Sequence, residues 1–309
     1  MAIRYSVIIP TLNGARRIIT VLHSLLRQSI SPEQFEIIVV DDGSTDNTQE
    51  MVRTIHLHNP RRNIIYYRQQ NLGPAAARNA GILKARGSIL FFTDDDCEVP
   101  ALWLEKMLDI YKKYPEVACV QGWYQPPLRT LHKNIYEQFI YLRYRSMVQL
   151  DFFDQKMEQK KKEGATLFPS LNTANVSIKK WVFDIVGNFD TRYFPQGLED
   201  FELGERIQRH KLIAYYIPLH VLHHKNLNFR TALRTCLNRG RGWRVYRKTT
   251  AGQLTHRRLT SAWNTTKILK AYCDGLEKNY RNFRYKRSIL LVSFLWQLLT
   301  NFMIRVPFF

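Results

Sequence analysis

The chain has few of the residues that build disulfide frameworks or zinc sites. Its 309 residues include four cysteines, which are far apart in sequence: Cys97, Cys119, Cys236 and Cys273. Zinc ribbons and redox motifs need cysteines a few residues apart, often with histidines at similar spacing. We therefore expect ordinary reduced thiols, as in a cytosolic protein.

Acidic residues are scarce in the last quarter of the chain. Residues 226–309 contain 17 lysines and arginines but only two acids, Asp274 and Glu277, so this quarter carries most of the net charge of +20. Such an excess suits the anionic headgroups of lipids or nucleic acid, and charge alone does not choose between them. A basic surface for an anionic partner is therefore expected here.

The sequence also offers no leader-like segment and no long apolar run. Met1–Tyr5 leads into an apolar segment without the basic start and apolar core of a signal peptide. As a helix, the uncharged run Ser288–Ile304 would be about 26 Å long, the lower limit for a bilayer span. Ser293, Gln297 and Asn301 recur every four positions, which favours a helix in the membrane interface or in a homodimer contact. We expect a cytoplasmic protein, peripheral or monotopic on the inner face of the membrane.

Short apolar segments alternate with helical segments over the first 125 residues. Helices are expected after each of the first four predicted strands, starting near Ala15, near Asp46, within Asn71–Asn79 and near Pro100. This alternation with short loops is typical of an α/β fold, a Rossmann-like, mostly parallel sheet flanked by helices. The predicted strands are Tyr5–Ile9, Glu36–Val40, Ile64–Tyr67, Ser88–Phe92 and Val117–Gly122.

Clusters of polar residues follow three of these strands, at Pro10–Gly14, Asp41–Asp46 and Asp94–Asp96. The carboxyl ends of parallel strands meet at one edge of a sheet, so these clusters can converge on one ligand. Neighbouring carboxylates repel one another, and such oxygen clusters suit magnesium or manganese shared with a phosphate group. A solvated turn with a helix cap is the alternative for the acidic triplet.

Further polar residues lie in the second part of the domain. Ser170–Ile178 alternates enough to be a strand, and Glu199 and Asp200 open a predicted helix. A helix N-terminus favours acids for electrostatic reasons alone, so their position does not assign them a role. Three histidines follow the predicted strand Ile213–Ile217, namely His220, His223 and His224.

Taken in order, these motifs resemble the family 2 glycosyltransferases of the GT-A fold, over about residues 4–225. The resemblance rests on the order and spacing of the motifs, because each short acidic pair is weak by itself. The matching pieces are Ser6–Pro10 with Asn13, Val39–Asp46, Asn71 and Gly73 with Ala77–Asn79 and Gly81, Asp94 with Asp96, Asn175 with Ile178–Lys180, Gly187 with Phe189–Asp190, and Glu199–Asp200.

The resemblance implies a site for a nucleotide diphosphate sugar, with a uridine diphosphate donor favoured. Asp41 and Asp42 are similar to the acids that hold the base and ribose, and Pro10 and Asn13 to residues of the same pocket. Arg78 is similar to an arginine near the nucleotide, where a fixed cation can face the diphosphate.

The resemblance also implies a divalent metal, Mn²⁺ or Mg²⁺. Asp94 and Asp96 are similar to the Asp-x-Asp (DXD) element that binds this metal at the diphosphate, and His223 is the candidate for a third ligand. Asp95 is either a spacer or a ribose or sugar contact. A metal held by carboxylates would neutralise the charge that builds on the leaving phosphate.

Catalysis is expected from the later acidic pair. Asp200 is similar to the catalytic base of inverting members, with Glu199 beside it in the acceptor region and Asn175 as an acceptor contact. A base that removes a hydroxyl proton typically contributes about 10² to 10⁴ in rate. One base with direct displacement inverts the anomeric carbon and needs no second carboxylate as nucleophile.

Two domains are therefore predicted, a catalytic domain over 1–225 and a basic helical membrane-associating extension over 226–309. In the extension, apolar residues from Phe229 to Trp243 recur at helical spacing with arginines on the other faces, as in an interfacial helix. A helix packed on the catalytic domain is the alternative.

The expected function is metal-assisted, inverting sugar transfer in glycan biosynthesis, at the cytoplasmic membrane face. The acceptor would be a glycan, a lipid-linked molecule or a protein, and the C-terminal surface would meet anionic lipid and not nucleic acid. The alternative is a non-catalytic module that binds a nucleotide sugar or nucleic acid. The presence of Asp94, Asp96 and Asp200 argues against this loss of catalysis.

Overall fold

The computed structural model describes residues 3–127, 171–194, 197–224 and 228–248. The chain divides into two compact units. The first comprises residues 1–125, 166–194 and 199–224, and the second comprises residues 126–165, 195–198 and 225–309. The predicted domains, 1–225 and 226–309, stay a prediction.

Strands and helices alternate along the first unit. The strands are β1 (Tyr5–Thr11), β2 (Phe35–Asp41), β3 (Asn63–Arg68), β4 (Ile89–Phe92), β5 (Cys97–Glu98), β6 (Cys119–Gln125), β7 (Val176–Lys179) and β8 (Ala214–His223). The α-helices of the described residues are α1 (Arg17–Leu26), α2 (Thr48–His58), α3 (Pro74–Lys84), α4 (Trp103–Lys113), α5 (Trp181–Val186), α6 (Glu199–Arg209) and, in the second unit, α7 (Phe229–Lys248).

The eight strands of the described residues form one sheet in the order β3-β2-β1-β4-β7-β6-β8-β5. The strands β3, β2, β1 and β4 are parallel to one another, and β6 is parallel to β8. β7 is antiparallel to β4 and β6, and β5 is antiparallel to β8. The predicted mostly parallel α/β sheet is confirmed. Since β2 and β4 lie on opposite sides of β1, the strand order reverses there, which leaves a crevice at the carboxyl ends.

Two hydrophobic layers cover the sheet. Alternate residues of each central strand point to opposite faces, so Phe91 packs with α1, α2 and α4 while Leu90 and Phe92 pack with α3, α5 and α6. Trp103 is fully buried in the first layer. Both faces are therefore covered by helices, as a parallel sheet requires.

The first strand is longer than predicted because Pro10 does not end it. Pro10 pairs in register with Val40 of β2, whereas pairing with β4 stops at Ile8. The missing N–H of Pro10 therefore interrupts no ladder on the β4 side. This extension carries Thr11 to the edge of the sheet.

Two later strands also differ from prediction. β7 starts at Val176, because the Asn172 side chain accepts a hydrogen bond from the amide of Ala174 at 2.9 Å and holds the preceding residues in a turn. β8 continues past Pro218 to His223 through a change of register opposite β6. His220 and His223 therefore lie on the strand and do not follow it.

A buried carboxylate joins three segments at the amino-terminal edge of the sheet. Glu36 Oε1 accepts hydrogen bonds from Ser6 Oγ at 2.6 Å and from the Arg86 amide at 2.7 Å, and its Oε2 pairs with Arg86 Nε at 2.7 Å. The amide of Gly87 donates to Ser6 Oγ at 2.9 Å. The buried charge is thereby compensated, and the start of β4 is tied to β1 and β2.

In the second unit, α7 begins with a reciprocal cap. Asn228 Oδ1 accepts from the Thr231 amide at 3.0 Å, and Thr231 Oγ1 accepts from the Asn228 amide at 2.9 Å. The interfacial helix predicted from Phe229 to Trp243 lies within α7, and the run Ser288–Ile304 lies outside the described residues. Among the described helices, none has the length and apolar character needed to cross a membrane.

Replacing Gly87 by alanine should destabilise the fold. A Cβ there would lie 2.5 Å from the Tyr5 carbonyl carbon and 2.6 Å from the Ser6 nitrogen, and backbone atoms inside a sheet cannot move aside. We expect Gly87→Ala to lower the free energy of unfolding by about 2 kcal/mol or more in denaturant titration. The exposed neighbour Ser88→Ala should change it by less than about 0.5 kcal/mol. Equal stabilities of the two variants would contradict this packing.

Candidate active site

The three polar clusters predicted from the sequence meet at one edge of the sheet. They follow β1, β2 and β4, which lie side by side and parallel, so their carboxyl ends coincide. The loop of the first cluster is joined to that of the second. Asn13 Oδ1 accepts from the Thr45 amide at 2.8 Å, and the Asn13 amide donates to Ser44 Oγ at 2.8 Å. Pro10, on β1 just before this loop, is buried.

The pair Asp41 and Asp42 is buried at the end of β2. Asp41 accepts from the Ser44 amide at 2.7 Å and from the Tyr66 hydroxyl. Burial and the hydrogen bond to Asp41 raise the pKa of Tyr66 well above its ordinary value, so the phenol stays a donor. The contact of Asp41 with a nucleotide stays a prediction.

Asp42 supports the loop that leads into α3. Its Oδ1 accepts from Gln69 Nε2 at 2.7 Å and from the Leu72 amide at 2.9 Å, and its Oδ2 accepts from the Gly73 amide at 2.8 Å. Gly73 has φ +93°, a conformation that side chains rarely adopt. Asp42 therefore holds the loop next to the predicted nucleotide pocket in a conformation that glycine permits, and its own contact with the nucleotide stays a prediction.

A buried arginine on α3 links two distant acids. Arg78 donates to Asp94 Oδ1 at 2.9 Å and to Glu199 Oε1 at 2.8 Å, and its side chain is 6% exposed. Burial lowers the pKa of Arg78, but Asp94 and Glu199 raise it by more, so it lies above its ordinary value. Nε is buried without a hydrogen-bond partner. This group is a fixed cation with an unused donor.

Asp200 follows Glu199 in the first turn of α6 and is only partly buried. Its Oδ1 accepts from the Phe201 amide at 2.7 Å. Glu199 is buried and paired with Arg78, and its predicted place beside the acceptor stays a prediction. Of the two acids, Asp200 is the more exposed.

Asp96 and His223 form the candidate metal site. Asp96 Oδ1 lies 2.8 Å from His223 Nε2, and the two side chains are 18% and 12% exposed. A carboxylate oxygen and an imidazole nitrogen suit manganese and related divalent ions, so the two residues fit such a metal. His223 was predicted as a ligand from the sequence, and the extended β8 brings it to Asp96.

The third group near these two ligands is a thiol. Among the described residues, the ligand atoms of Asp96, Cys97 and His223 all lie within 4.8 Å of one another. Burial, followed by the charges of Asp94 and Asp96, raises the pKa of Cys97 well above its ordinary value, so the sulfur is a poor ligand for a hard cation. Asp94, predicted as a ligand, pairs with Arg78 and lies outside this group of three.

The middle acid of the triplet is bound inside the chain. Asp95 accepts from Thr11 Oγ1 at 2.6 Å, and Arg17 binds both its oxygens, at 2.9 Å and 3.0 Å. Burial raises the pKa of Asp95 above its ordinary value, while the bonds from Arg17 and Thr11 lower it. With both oxygens bound and the residue 8% exposed, the geometry favours the spacer alternative, and the ribose or sugar contact stays a prediction.

Asn175 is fully buried between β6, β8 and α4. Its Nδ2 donates to the carbonyl oxygens of Trp123 at 2.6 Å and Leu219 at 2.8 Å, and its Oδ1 accepts from Trp103 Nε1 at 2.8 Å. The amide thus joins the two strands and the helix, and its contact with an acceptor stays a prediction.

Sequence reasoning missed Arg17, although one signal could have found it. Arg17 lies in the first turn of α1, where the helix dipole disfavours a cation. A cation there indicates a carboxylate partner from elsewhere in the chain, here Asp95. Glu98, which pairs with His224 at 3.1 Å, was missed as well, and only the β5–β8 pairing brings these two together.

The glycosyl transferase family 2 model matches residues 6–172. Validoxylamine A glucosyltransferase from Streptomyces hygroscopicus subsp. limoneus is 32% identical over 228 residues, which cover 66% of this chain and 48% of the relative. The chain spans about half the length of such curated relatives.

Solved structures share the fold. A mannosyltransferase from Pyrobaculum calidifontis in complex with GDP-Man and Mn²⁺ has a TM-score of 0.63 and 18% identity, covering 98% of this chain and 86% of the other. TarS 1–349 from S. aureus, in complex with UDP-GlcNAc, has a TM-score of 0.55 and 14% identity, covering 98% and 88%. These likenesses agree with the GT-A fold predicted from the sequence.

The family match covers more than half of the chain and includes the strands that carry Asp41, Asp42 and the acidic triplet. The relative with 32% identity is itself a glycosyltransferase. The chain belongs to glycosyl transferase family 2.

Proposed function

We propose that this glycosyltransferase moves a sugar from a nucleotide diphosphate donor to an acceptor hydroxyl, with a divalent metal and with inversion at the anomeric carbon. The observation that carries the proposal is the convergence of Arg78, the Asp96–His223 pair and Asp200 at one edge of the sheet. Fixed positive charge for a leaving diphosphate and a carboxylate for an incoming hydroxyl are what this reaction needs.

The donor end of the site would be built from Arg78, Asp96 and His223. The buried Arg78 cation, with its unused Nε, suits a diphosphate oxygen. Asp96 and His223 would hold Mn²⁺ or Mg²⁺, which would supply positive charge to the leaving phosphate. Asp94 keeps Arg78 ionised and in place.

Asp200 would act as the base. This residue is partly exposed, whereas the neighbouring Glu199 is buried and paired with Arg78. Removing the proton from the acceptor hydroxyl as the sugar arrives would give inversion in one displacement. Two carboxylates that differ in this way can carry out separate tasks at one pH.

The donor we favour is a uridine diphosphate sugar, as bound by TarS, while the mannosyltransferase of similar fold binds GDP-Man. The acceptor would be a glycan, a lipid-linked molecule or a protein. Validoxylamine A, named as the substrate of one relative, is a small molecule. Glycan biosynthesis is the setting that these substrates imply.

We also propose that the enzyme works on the inner face of the membrane, attached by its C-terminal extension. The support is a row of exposed cations on α7: Arg230, Arg234, Arg241 and Lys248. Their spacing of four, seven and seven residues places them on one face of a helix. A row of cations on one face suits anionic headgroups.

A panel of nucleotide sugars would test the donor and the metal together. UDP-, GDP- and dTDP-sugars at about 100 times their dissociation constants should stabilise the protein by about 2.7 kcal/mol if they bind only the native state. We expect the largest shift in melting temperature with a UDP-sugar and Mn²⁺. Asp96→Asn should lose the part that needs Mn²⁺, and Asp109→Asn, an exposed change of the same kind, should keep it. Stabilisation by a donor that is unaffected by Mn²⁺ in the wild type would contradict the metal role.

Asp200→Asn should separate catalysis from binding. Loss of the base should reduce the transfer rate by about 10²- to 10⁴-fold while donor affinity, measured by calorimetry, changes little. Asp184→Asn, in the first turn of α5 and exposed, is the matched control and should retain full activity. A donor affinity that falls in step with the rate would assign Asp200 to binding instead.

Vesicle sedimentation would test the cationic row. The wild type should sediment with vesicles that contain phosphatidylglycerol and stay in solution with pure phosphatidylcholine. Changing Arg230, Arg234 and Arg241 together to glutamine should weaken binding roughly 100-fold, at about 1 kcal/mol for each charge. The control changes three exposed arginines elsewhere to glutamine, Arg16, Arg53 and Arg61. Equal loss in the two triple variants would show that net charge, and not α7, drives binding.

A further inference from the structure

We propose that Arg17 is a positioning residue, which sets the affinity of the site for its divalent cation by fixing the turn that carries Asp94 and Asp96. It acts through Asp95. This inference rests on the proposed function, in which Asp96 and His223 hold that cation.

Arg17 and Asp95 form a bidentate salt bridge. Arg17 Nε donates to Asp95 Oδ1 at 3.0 Å, and its terminal nitrogen donates to Oδ2 at 2.9 Å. A planar guanidinium matches a carboxylate in this way, so the pair fixes the orientation of the acid as well as its charge. Thr11 adds a third bond to Oδ2 at 2.6 Å.

The contacts of Asp95 with Arg17 and Thr11 join three segments of the first unit. Thr11 ends β1, Arg17 begins α1, and Asp95 follows β4. The segments approach so closely that a Cβ on Gly14 would overlap Thr11 Oγ1 and Asp95 Oδ2. Arg17 also donates to the Leu12 carbonyl oxygen at 3.1 Å, which holds its guanidinium against the Asp95 carboxylate.

Asp95 lies at the centre of a turn between two functional acids. The Cys97 amide donates to the Asp94 carbonyl oxygen at 3.1 Å, which closes the turn around Asp95 and Asp96. The flanking side chains then diverge, Asp94 towards Arg78 and Asp96 towards His223. Rotation of the turn would move both acids, because they share its backbone. By fixing Asp95, Arg17 therefore controls the position of the neighbouring candidate metal ligand, Asp96.

Residues that orient a metal ligand typically contribute 10- to 100-fold to metal affinity. We therefore expect Arg17→Gln to weaken Mn²⁺ binding by that factor in the full chain without donor, measured from the free Mn²⁺ signal in electron paramagnetic resonance. Arg17→Lys keeps the charge but loses the bidentate contact, so its Mn²⁺ affinity should lie between those of Arg17→Gln and the wild type. Arg16→Gln removes an exposed arginine one position away and should bind as the wild type does.

A double-mutant cycle tests whether Arg17 acts through Asp95. Asp95→Asn should reproduce the loss, and the double variant should bind Mn²⁺ no more weakly than either single variant. Additive losses would overturn the proposal. So would a raised KM for the donor with unchanged Mn²⁺ affinity, because Arg17 would then contact the donor directly.

The remaining outcomes separate the two proposals. A wild-type chain that binds no Mn²⁺ would overturn the metal site and the role of Arg17 with it. Equal Mn²⁺ affinity in the wild type and Arg17→Gln would overturn the positioning role alone. Thermal unfolding without metal reports whether each variant is folded. If Arg17→Gln is not folded, the Mn²⁺ affinity of Arg17→Lys is the test. A wild-type affinity in Arg17→Lys would contradict the proposal.

Discussion

A buried cation, Arg78, is paired with two carboxylates from distant segments of the first unit. Arg78 begins on α3, next to the predicted nucleotide pocket, and reaches Asp94 after β4 and Glu199 on α6, which lies 121 residues further along the chain. Each partner alone would be a costly buried charge, so the three groups stabilise one another. The same contacts bring the helix that carries Asp200 to the edge where the donor would bind. The position of α6 relative to the end of β4 therefore depends on this guanidinium.

The acids at this edge have different tasks because the fold gives each a different partner. Asp42 and Asp95 hold loops, Asp94 and Glu199 hold Arg78, and Asp96 meets a histidine. Only Asp200 combines partial exposure with a place at the start of α6. Asp94, Asp95 and Glu199 are each paired with an arginine, which offsets the repulsion between neighbouring carboxylates.

The sequence predicted the sheet well where periodicity is strong. Short apolar runs located β1 to β4 within two residues at each end, and α1 and α2 begin within two residues of their predicted starts. Predictions failed where a single contact overrides the local pattern. Pro10 stays in β1 because the ladder beside it has already ended, and Asn172 shortens β7 by bonding to the Ala174 amide. The last strand was expected to end at Ile217, but β8 continues to His223 through a change of register.

By itself, the sequence determined the α/β class, the edge of the sheet where the acids gather, and the family. These follow from periodicity, from the alternation of strands and helices, and from motif order, all of which are local or nearly local properties of the chain. Only the tertiary structure decided which partner each acid has. These partners are distant in sequence, such as Arg78, which lies 16 residues from Asp94 and 121 from Glu199. Asn175 has the chemistry of a ligand contact in the sequence, but it is fully buried and its amide bonds to Trp103, Trp123 and Leu219.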